Sequence, residues 1–393
     1  MLKRVRIGDL GDIYTGNTPS KKNMEFYDSE DIMFIKPDML EFNIAKIEKA
    51  NEYISEKARE KARIIPKGSL LVSCIGNIGK LGINNEEVAF NQQINAIIHN
   101  DKIISSKYLA YVIKYNQKKL ESIANTAVVP IINKNQFSEF ELLIHKDLEI
   151  QNKIVDILDK AQKLMDKRKE QIEALDELVK SKFIEMFGSQ KYPLVKAEDI
   201  CEYITKGTTP KSSEIIEEYN DDLIPYLKVY NLSFDGSMLF DEKAQYITLE
   251  THNKFLARSK VYPNDILMNI VGPPLGKFAI VPNTFSEWNI NQAIAIFRAT
   301  NKVNPIYLLY SLKQPKVLKP FIDSAVGIRQ QNLSLLQCRN LEIQLPPLSL
   351  QNQFADFVNK VNKLKSEMEK SLKELEDNFN SLMQKSFKGE LFN

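Results

Sequence analysis

The stretch Leu148-Glu149-Ile150-Gln151-Asn152 recurs about 200 residues later as Leu348-Ser349-Leu350-Gln351-Asn352. Each copy opens a long run in which apolar residues return every three or four positions, which is typical of a helix with one apolar face. The residues of the two apolar stripes are Ile150, Ile154, Ile157, Ala161, Leu164, Ile172, Leu175 and Leu178, then Leu350, Phe354, Phe357, Val361, Leu364, Met368, Leu372, Leu375 and Leu382. No Gly or Pro interrupts either run, and Gly188 and Gly389 follow as C-terminal caps. The pattern predicts helices from Leu148 to about Phe187 and from Leu348 to about Phe387.

A helix of this length cannot bury a continuous apolar stripe by itself. The simplest partner for each helix is the other one, and two copies of one unit related by a pseudo-twofold axis would place the helices antiparallel. The alternative is that each helix packs on its own globular domain or on another protein.

Other motifs recur in the same order upstream of each helix. Given as first copy and second copy, they are Gly16-Asn17-Thr18-Pro19 and Gly207-Thr208-Thr209-Pro210, Pro66-Lys67-Gly68-Ser69-Leu70 and Pro263-Asn264-Asp265-Ile266-Leu267, Gly79-Lys80 and Gly276-Lys277, and Asn91-Gln92 and Asn291-Gln292. Their offset drifts only from about 191 to about 200 residues, a period far too long for a solenoid. The order indicates a duplicated unit, each copy made of a globular part followed by a helix.

Short apolar runs dominate the globular parts, and Gly, Asn and Pro separate them, which predicts strands joined by loops. We expect strands at residues 31–35, 69–73 and 293–297 and short helices at 55–63, 105–121 and 303–314. The predicted fold class is α+β: two similar mixed α/β domains separated by a pair of long antiparallel coiled-coil helices. The expected boundaries are 1–146 and 190–346 for the domains, and 147–189 and 347–393 for the helices.

Composition sets broad limits on the kind of protein. The chain has 393 residues, of which 43% are hydrophobic and 26% charged, as expected of a globular protein of two or more domains. No run approaches the roughly 18 apolar residues that span a bilayer, and the N-terminus lacks the apolar core of a signal peptide. Three widely spaced cysteines (Cys74, Cys201 and Cys338) fit a reducing compartment, so we expect a cytoplasmic protein.

Signals of enzyme chemistry are weak. The three histidines (His99, His145 and His252) are isolated in sequence, and no cysteine or histidine spacing is typical of a metal site. The glycines of residues 76–82 lack the spacing of a phosphate-binding loop, so a β-turn is the better interpretation. Asn304-Pro305-Ile306-Tyr307 is similar to the Asn-Pro-Pro-Tyr motif of adenine methyltransferases but has Ile at the second proline, and Pro305 suits the first turn of a helix. We predict no catalytic residue, cofactor or metal in this chain.

The loops that recur are rich in residue types suited to DNA. Lys and Arg neutralise phosphates, and Asn and Gln can hydrogen-bond base edges. The net charge is only +2, so any DNA-binding surface must be local. The candidates are Thr15, Asn17, Thr18, Ser20, Lys21, Lys22, Lys36, Asn77, Lys80, Lys134 and Asn135 in the first copy and Lys206, Thr208, Thr209, Lys211, Lys228, Tyr230, Asn231, Lys277, Arg329, Gln330 and Gln331 in the second. For any single candidate, a solvated turn remains the alternative.

Residues shared by both copies tend to serve the shared fold, so Asn91-Gln92 and Asn291-Gln292 are expected to satisfy buried backbone groups. If the two domains read different sequences, base recognition should use positions at which the copies differ. Those positions lie in residues 23–46 and 213–242, and in 73–80 and 269–277.

Taken together, the duplicated motifs resemble the specificity subunits of type I restriction-modification enzymes over the whole chain. One departure is Lys146-Asp147 before the first helix, where the second copy has Pro346-Pro347. The resemblance implies two target-recognition domains that each read one half of a split site in double-stranded DNA, with the helices setting the gap and docking methyltransferase subunits. It also implies two modification subunits that use S-adenosylmethionine, and restriction subunits that use ATP and Mg²⁺.

Two other functions remain open at this point. One is a coiled-coil scaffold whose paired domains bind protein. The other is a catalytic methyltransferase or nuclease, against which the missing cofactor loop argues. DNA binding that weakens steeply with salt would separate DNA recognition from the scaffold function.

Overall fold

A computed structural model describes residues 2–126, 128–327 and 331–392. The chain divides into two compact units, the first formed by Met1–Glu170 with Glu369–Asn393 and the second by Gln171–Met368. Each unit therefore contains one globular part together with a portion of each long helix.

The first unit begins the chain. Its strands are β1 (Leu2–Arg6), β2 (Gly11–Thr15), β3 (Ile32–Ile35), β4 (Ile44–Ile47), β5 (Tyr53–Ile54), β6 (Ile64–Ile65), β7 (Leu70–Ser73), β8 (Leu81–Asn84), β9 (Val88–Phe90), β10 (Ile94–His99), β11 (Asn125–Thr126), β12 (Pro130–Ile131) and β13 (Glu141–His145). Its helices are α1 (Ser106–Tyr115), α2 (Gln117–Ser122), α3 (Lys134–Glu139) and the first part of α4 (Leu148–Phe187).

The second unit follows along α4. Its strands are β14 (Leu194–Lys196), β15 (Cys201–Lys206), β16 (Leu223–Leu227), β17 (Tyr246–Thr248), β18 (Lys260–Val261), β19 (Ile266–Asn269), β20 (Val271–Gly272), β21 (Phe278–Ile280), β22 (Trp288–Ile290), β23 (Ile294–Ala299), β24 (Gln331–Asn332) and β25 (Glu342–Gln344). Its helices are α5 (Ala197–Ile200), α6 (Leu249–Asn253), α7 (Pro305–Leu312), α8 (Pro315–Asp323), α9 (Leu335–Arg339) and the first part of α10 (Leu348–Lys388).

Strand order shows that the two units are copies of one fold. In the first unit, the strands of the larger sheet lie in the order β2-β10-β7-β8-β4, and a second sheet has the order β5-β3-β9-β6. In the second unit, the order is β15-β23-β19-β21 in one sheet and β17-β16-β22-β18 in the other. Because the shared strands follow the same order along the chain and have the same neighbours, the predicted internal repeat is confirmed.

The predicted short elements are largely confirmed. The strands expected at 31–35, 69–73 and 293–297 are β3, β7 and β23, and the helix expected at 303–314 is α7. The helix expected at 105–121 is broken into α1 and α2, and the one expected at 55–63 is a 3-10 helix at Glu56–Lys61. Residues 74–80 connect the antiparallel strands β7 and β8 as a turn, in which Gly76 and Gly79 have φ angles of +76° and +83°.

The two long helices pair within each unit. In the first unit, Ile154 and Leu158 of α4 share one buried apolar cluster with Phe379 and Phe387 of α10. We call α4 and α10 the helix pair. Since the early part of α4 lies with the late part of α10, the helices run antiparallel, as predicted.

The second unit shows the same direction. Asp176 of α4 accepts from Lys365 of α10 at 2.7 Å, and farther along α4 the rings of Phe187 and Phe354 lie 5.8 Å apart. The apolar stripes also pack on the globular parts, because Phe183 stacks on Tyr307 with 5.8 Å between ring centroids. Pairing of the helices and packing on the domains, which the sequence left as alternatives, therefore occur together.

Both long helices begin at the same motif position, Leu148 and Leu348, although different residues precede them. The Lys146-Asp147 departure thus leaves the helix start unchanged. Gly188 closes α4 by donating its N–H to the Ile184 carbonyl at 2.7 Å. Within the described residues, no helix combines the length and the apolar character needed to cross a membrane.

Candidate nucleic-acid interface

Two parallel strands end side by side in the first unit. Strands β3 and β9 pair in parallel, with Ile35 opposite Phe90, and the N–H of Asn91 donates to the Ile35 carbonyl at 3.1 Å. The chain after β2 crosses the same end, because the N–H of Asn17 donates to the Phe90 carbonyl at 3.0 Å. We call this end of β3 and β9, with the segments that leave it, the carboxyl edge of the first unit.

Several predicted DNA-binding residues meet at this edge. Thr18 donates its hydroxyl to the side-chain oxygen of Gln92 at 2.8 Å, and Lys36, which follows β3, forms an ion pair with Glu52. The side chains of Asn17, Thr18, Ser20, Lys21 and Lys22 are exposed, whereas Thr15 and Lys36 are half-buried. The structure therefore brings the first recurring loop and the Asn-Gln motif together.

Close backbone contact explains the recurring glycine. A Cβ atom on Gly16 would lie 2.3 Å from the Asn91 carbonyl oxygen, and one on Gly207 would lie 2.1 Å from that of Asn291. Such distances are far inside van der Waals contact, so only glycine fits. The Gly-x-Thr-Pro motif and the Asn-Gln motif, which are distant in sequence, are thus in direct backbone contact in both units.

The recurring asparagines have the structural role that their repetition predicted. The side-chain oxygen of Asn91 accepts from the Gln93 N–H at 3.1 Å, and that of Asn291 accepts from the Ala293 N–H at 3.2 Å. Each asparagine closes a tight turn before the next strand, β10 or β23.

A second group of basic residues surrounds the ring of Tyr14 on β2. The Arg63 guanidinium carbon lies 5.4 Å from the ring centroid and the Lys134 ammonium 5.8 Å from it. Lys134, Asn135 and Arg63 are exposed. Sequence analysis missed Arg63, which lies just before the recurring Pro66 motif, because nothing in its local pattern marks it as close to Lys134.

The third group lies in the turn between β7 and β8. Asn77 is exposed and Lys80 is half-buried, and the backbone N–H of Lys80 donates to the Ser73 hydroxyl at 2.9 Å. The Lys80 ammonium lies 5.7 Å from the centroid of the Phe42 ring. The contacts of Lys80 with Ser73 and Phe42 therefore fix the turn, while Asn77 faces solvent.

The second unit repeats the edge arrangement. Strands β16 and β22 are parallel, and Asn291 donates its N–H to Leu227 at 3.0 Å. Thr209 accepts from the Gln292 N–H at 3.4 Å, and Thr208 accepts from Arg258 at 3.0 Å. Arg258 is a further basic residue that the sequence did not single out.

The other candidates of the second unit occupy varied settings. Lys206 and Lys211 are exposed, Lys228 and Lys277 are half-buried, and the exposed ring of Tyr230 lies 5.9 Å from the Lys243 ammonium. Gln331 is half-buried in β24, whereas Arg329 and Gln330 lie outside the described residues.

Asn231 corrects one prediction. Its side chain is fully buried, accepts from the Lys228 N–H at 2.9 Å and donates to the Leu239 carbonyl at 3.0 Å. A 3-10 turn over Val229–Asn231 turns this side chain inward. Asn231 therefore stabilises the loop and does not belong to the candidate interface.

Across residues 2–126, 128–327 and 331–392, no three His, Cys, Asp or Glu side chains are arranged to hold a metal ion. The isolated histidines have structural partners: His145 bonds Tyr108 at 2.9 Å, and buried His252 bonds Glu287 at 3.0 Å. Burial lowers the pKa of both imidazoles.

Comparison with known proteins places this geometry in a family. The family model for the type I restriction modification DNA specificity domain matches the chain twice, over residues 2–174 and 190–377. The chain belongs to the type I DNA specificity family. Its role is therefore DNA sequence recognition within a type I restriction-modification system. As the specificity subunit, it is not the catalytic component, and the scaffold alternative is not favoured.

One curated relative of this specificity subunit matches most of its length, and another matches a shorter part at higher identity. The specificity subunit of the type I restriction enzyme MjaIX from Methanocaldococcus jannaschii is 25% identical over 377 residues, covering 90% of this chain and 85% of that protein. The HindI specificity subunit from Haemophilus influenzae is 34% identical over 163 residues, covering 39% of this chain and 35% of that protein.

Solved structures share the fold. The S subunit of a type I restriction-modification system from M. genitalium superposes with a TM-score of 0.56 at 16% identity, covering 98% of this chain and 96% of that one. A chain from a structure of type I R-M complex assembly gives a TM-score of 0.63 at 16% identity, covering 99% and 98%. The specificity subunit thus has the duplicated α/β fold with long helices found in these proteins.

Proposed function

We propose that each repeat of this specificity subunit reads one half of a bipartite site in double-stranded DNA. The carboxyl edges of the two units, with the turns at 73–80 and 269–277, form the reading surfaces. The observation that carries the proposal is the same constellation in both units: a polar loop after Gly16 or Gly207, an Asn-Gln turn and a lysine after a parallel strand.

Residues shared by both units and residues that differ between them have separate roles in this proposal. Gly16, Gly207, Asn91 and Asn291 hold backbone segments in place, so they carry no sequence information. Side chains that differ between the units are available to DNA: the exposed Lys21 and Lys22 in one unit, and the half-buried Thr208 with the exposed Lys211 in the other. Lysines contribute phosphate contacts that position the domain, while amides and hydroxyls can discriminate bases.

The helix pair sets the gap in this proposal. A helix of 40 residues extends about 60 Å, enough to hold two recognition domains over half-sites about one DNA turn, or 34 Å, apart. The functional segments would be residues 1–146 and 190–346 as recognition domains and 147–189 and 347–393 as spacers. The spacers would also dock two modification subunits.

Catalysis would then lie with the partners. Modification subunits would bind S-adenosylmethionine and methylate adenine, and restriction subunits would use ATP and Mg²⁺ to cleave. We expect the assembly to act in the cytoplasm, where its target DNA is. The near-neutral net charge of +2 suits a subunit that binds DNA strongly only when it is assembled with its partner subunits.

Exchange of one domain tests this division. The assembled complex would carry residues 190–346 from a relative of different specificity, and methylated adenines would be mapped before and after. One half of the motif should change while the other half and the gap stay constant. Exchange of residues 1–146 is the matched control and should change the opposite half. A motif altered in both halves by either exchange would contradict the proposal.

Salt dependence gives a second test on single residues. Replacing Lys21 and Lys22 by Ala should lower DNA affinity for any sequence and reduce the slope of log affinity against log salt by up to about 0.9 for each phosphate that is no longer neutralised. Lys102 is the control, because β2 and β10 pair Thr15 with Asn95 and Gly11 with His99, so Lys102 follows the opposite end of the strand pair. An equal change of slope in the Lys102→Ala variant would argue against the carboxyl edge.

A further inference from the structure

A repeated segment with an exposed aromatic residue lies in the part of the chain where the two copies otherwise differ. Lys36-Pro37-Asp38-Met39-Leu40-Glu41-Phe42-Asn43 and Lys228-Val229-Tyr230-Asn231-Leu232-Ser233-Phe234-Asp235 share Lys, Leu and Phe at the same spacing and end on Asn or Asp. The leucines are buried, but the side chain of Phe42 is 44% exposed and that of Phe234 is 57% exposed.

Backbone pairing places both phenylalanines in equivalent positions. In the first unit, Glu41 exchanges hydrogen bonds with Leu81 at 3.2 and 2.7 Å; in the second, Ser233 does so with Phe278 at 3.0 and 2.7 Å. The lysine before each partner strand then lies beside the ring. Lys80 is 5.7 Å from the centroid of Phe42, and Lys277 is 5.7 Å from that of Phe234.

In the first unit, the residue after the phenylalanine is tied to the helix pair. The Asn43 side-chain oxygen accepts from the Lys114 ammonium at 2.7 Å. The same ammonium lies 4.8 Å from the ring centroid of Phe379 on α10. Phe42 is therefore held one residue away from a contact with a spacer helix.

In the second unit, different residues connect the position after the phenylalanine to the helix pair. The Asp235 carbonyl accepts from the Lys313 ammonium, and the Asp235 carboxylate lies 4.0 Å from Lys365 of α10. Lys365 in turn bonds Asp176 of α4 at 2.7 Å. Phe234 is thus one residue away from Asp235, which contacts α10 directly and is connected to α4 through Lys365.

A large aromatic side chain exposed at the same place in both copies does not serve the core. Base recognition is a poor explanation, because bases differ between the halves of an asymmetric target, and DNA backbone contacts come mainly from polar groups. Aromatic residues, including Phe, are instead enriched in the buried centres of protein interfaces. What both halves share in the proposed function is one modification subunit each.

We propose that Phe42 and Phe234 are equivalent docking points for two copies of the modification subunit, one on each recognition domain. The matching surface of that subunit would be an apolar pocket that accepts the phenylalanine ring. This inference rests on the proposed function, since it takes the helix pair as the main docking surface and extends it onto the domains.

Titration of the specificity subunit with its cognate modification subunit, followed by mass photometry, tests the proposal. Phe42→Ser should weaken uptake of one modification subunit about tenfold or more and leave the other site unchanged, and Phe234→Ser should do the same for the other site. The double variant should lose both, and Phe42→Leu should retain most of the affinity. Met24→Ser and Phe255→Ser are controls, because these side chains are 75% and 59% exposed but have no repeated counterpart.

Each variant is first shown to keep the melting temperature of the unaltered chain, so that a change in binding is not caused by a loss of folding. Uptake within twofold of the unaltered chain at both sites overturns the docking proposal. A tenfold loss of DNA affinity in a complex that assembles normally would overturn it in favour of DNA contact by the phenylalanines. Failure of the unaltered chain to take up any modification subunit would instead contradict the proposed function itself.

Discussion

Gln151 and Gln351 hold equivalent carbonyl groups in the two repeats. The Gln151 amide donates to Ile103 at 3.0 Å and to His145 at 2.8 Å, and the Gln351 amide donates to Lys302 at 3.5 Å and to Pro346 at 2.8 Å. Both side chains are fully buried. Each glutamine therefore ties the first turn of its long helix to two separate loops of the globular part, which explains why this residue recurs in the helix-entry motif.

Replacing Gln351 by Leu should cost about 1–3 kcal/mol in the free energy of unfolding, because the buried carbonyl of Pro346 and the partly buried carbonyl of Lys302 and N–H of Asn304 would lose their partner. Urea unfolding followed by circular dichroism measures the loss. Gln353→Leu is the control, since Gln353 is exposed on the same helix and should change stability by less than about 0.5 kcal/mol. Equal stability of the two variants would show that the buried hydrogen bonds contribute little.

Replacing Gly207 by Ala should destabilise the second unit by about 1–3 kcal/mol, since the new Cβ would overlap the carbonyl oxygens of Asn291 and Ile290, 2.1 and 2.3 Å away. The same change should weaken DNA binding by the assembled complex, because the loop at 206–211 would be displaced from the carboxyl edge. Thermal unfolding and a binding titration check both effects. Ser213→Ala, at an exposed position just beyond that loop, is the control. An unaltered Tm for the Gly207 variant would contradict the close contact.

The Lys114 side chain predicts a pH effect on stability. Burial lowers the pKa of its ammonium to about 8, with Asp166 opposing and Lys169 assisting, compared with an ordinary value of 10.5. Between these two values the unfolded chain binds a proton that the folded chain does not, so the free energy of unfolding should rise with pH through this group. From pH 7 to 9.5, the free energy of unfolding of the unaltered chain should therefore rise relative to that of the Lys114→Met variant. Parallel curves over that range would contradict the lowered pKa.

Lengthening the helix pair should change the gap in the target without changing its halves. One heptad inserted after Glu170 and another after Met368 adds about 10 Å of helix while keeping the apolar stripe in phase, equivalent to at most about three base pairs. Methylation mapping of the assembled complex reads the gap directly. A heptad inserted in α4 alone is the control, and it should reduce stability by putting the two stripes out of register. An unchanged gap with both insertions would show that the helices do not measure DNA.

The long helices and the repeat were predictable from sequence, because apolar periodicity over about forty residues and glycine caps are local signals. The sheets were not. Ile35 and Phe90 pair in parallel although many residues and several other strands separate them, and no local pattern records such pairing. The segment expected as a helix at 55–63 forms a 3-10 helix over Glu56–Lys61, in which Ala58 is buried.

The candidate interface was predictable only in outline. Thr18 and Gln92 belong to separate motifs of the sequence, and their contact follows from the fold. The prediction for Asn231 was wrong because its turn faces inward, whereas Phe42 and Phe234 were missed because the sequence around them otherwise diverges between the copies. Their signal is the shared Lys-x-x-x-Leu-x-Phe spacing, which is weaker than a run of identical residues.

Methylation mapping of the unaltered complex tests the central claim most directly. The chain would be co-expressed with its modification subunit, and methylated adenines located by long-read sequencing. We expect a motif of two defined halves separated by a fixed number of unspecified base pairs. A continuous motif without a gap, or an assembled complex that methylates no defined sequence, would contradict two-domain recognition across a helical spacer.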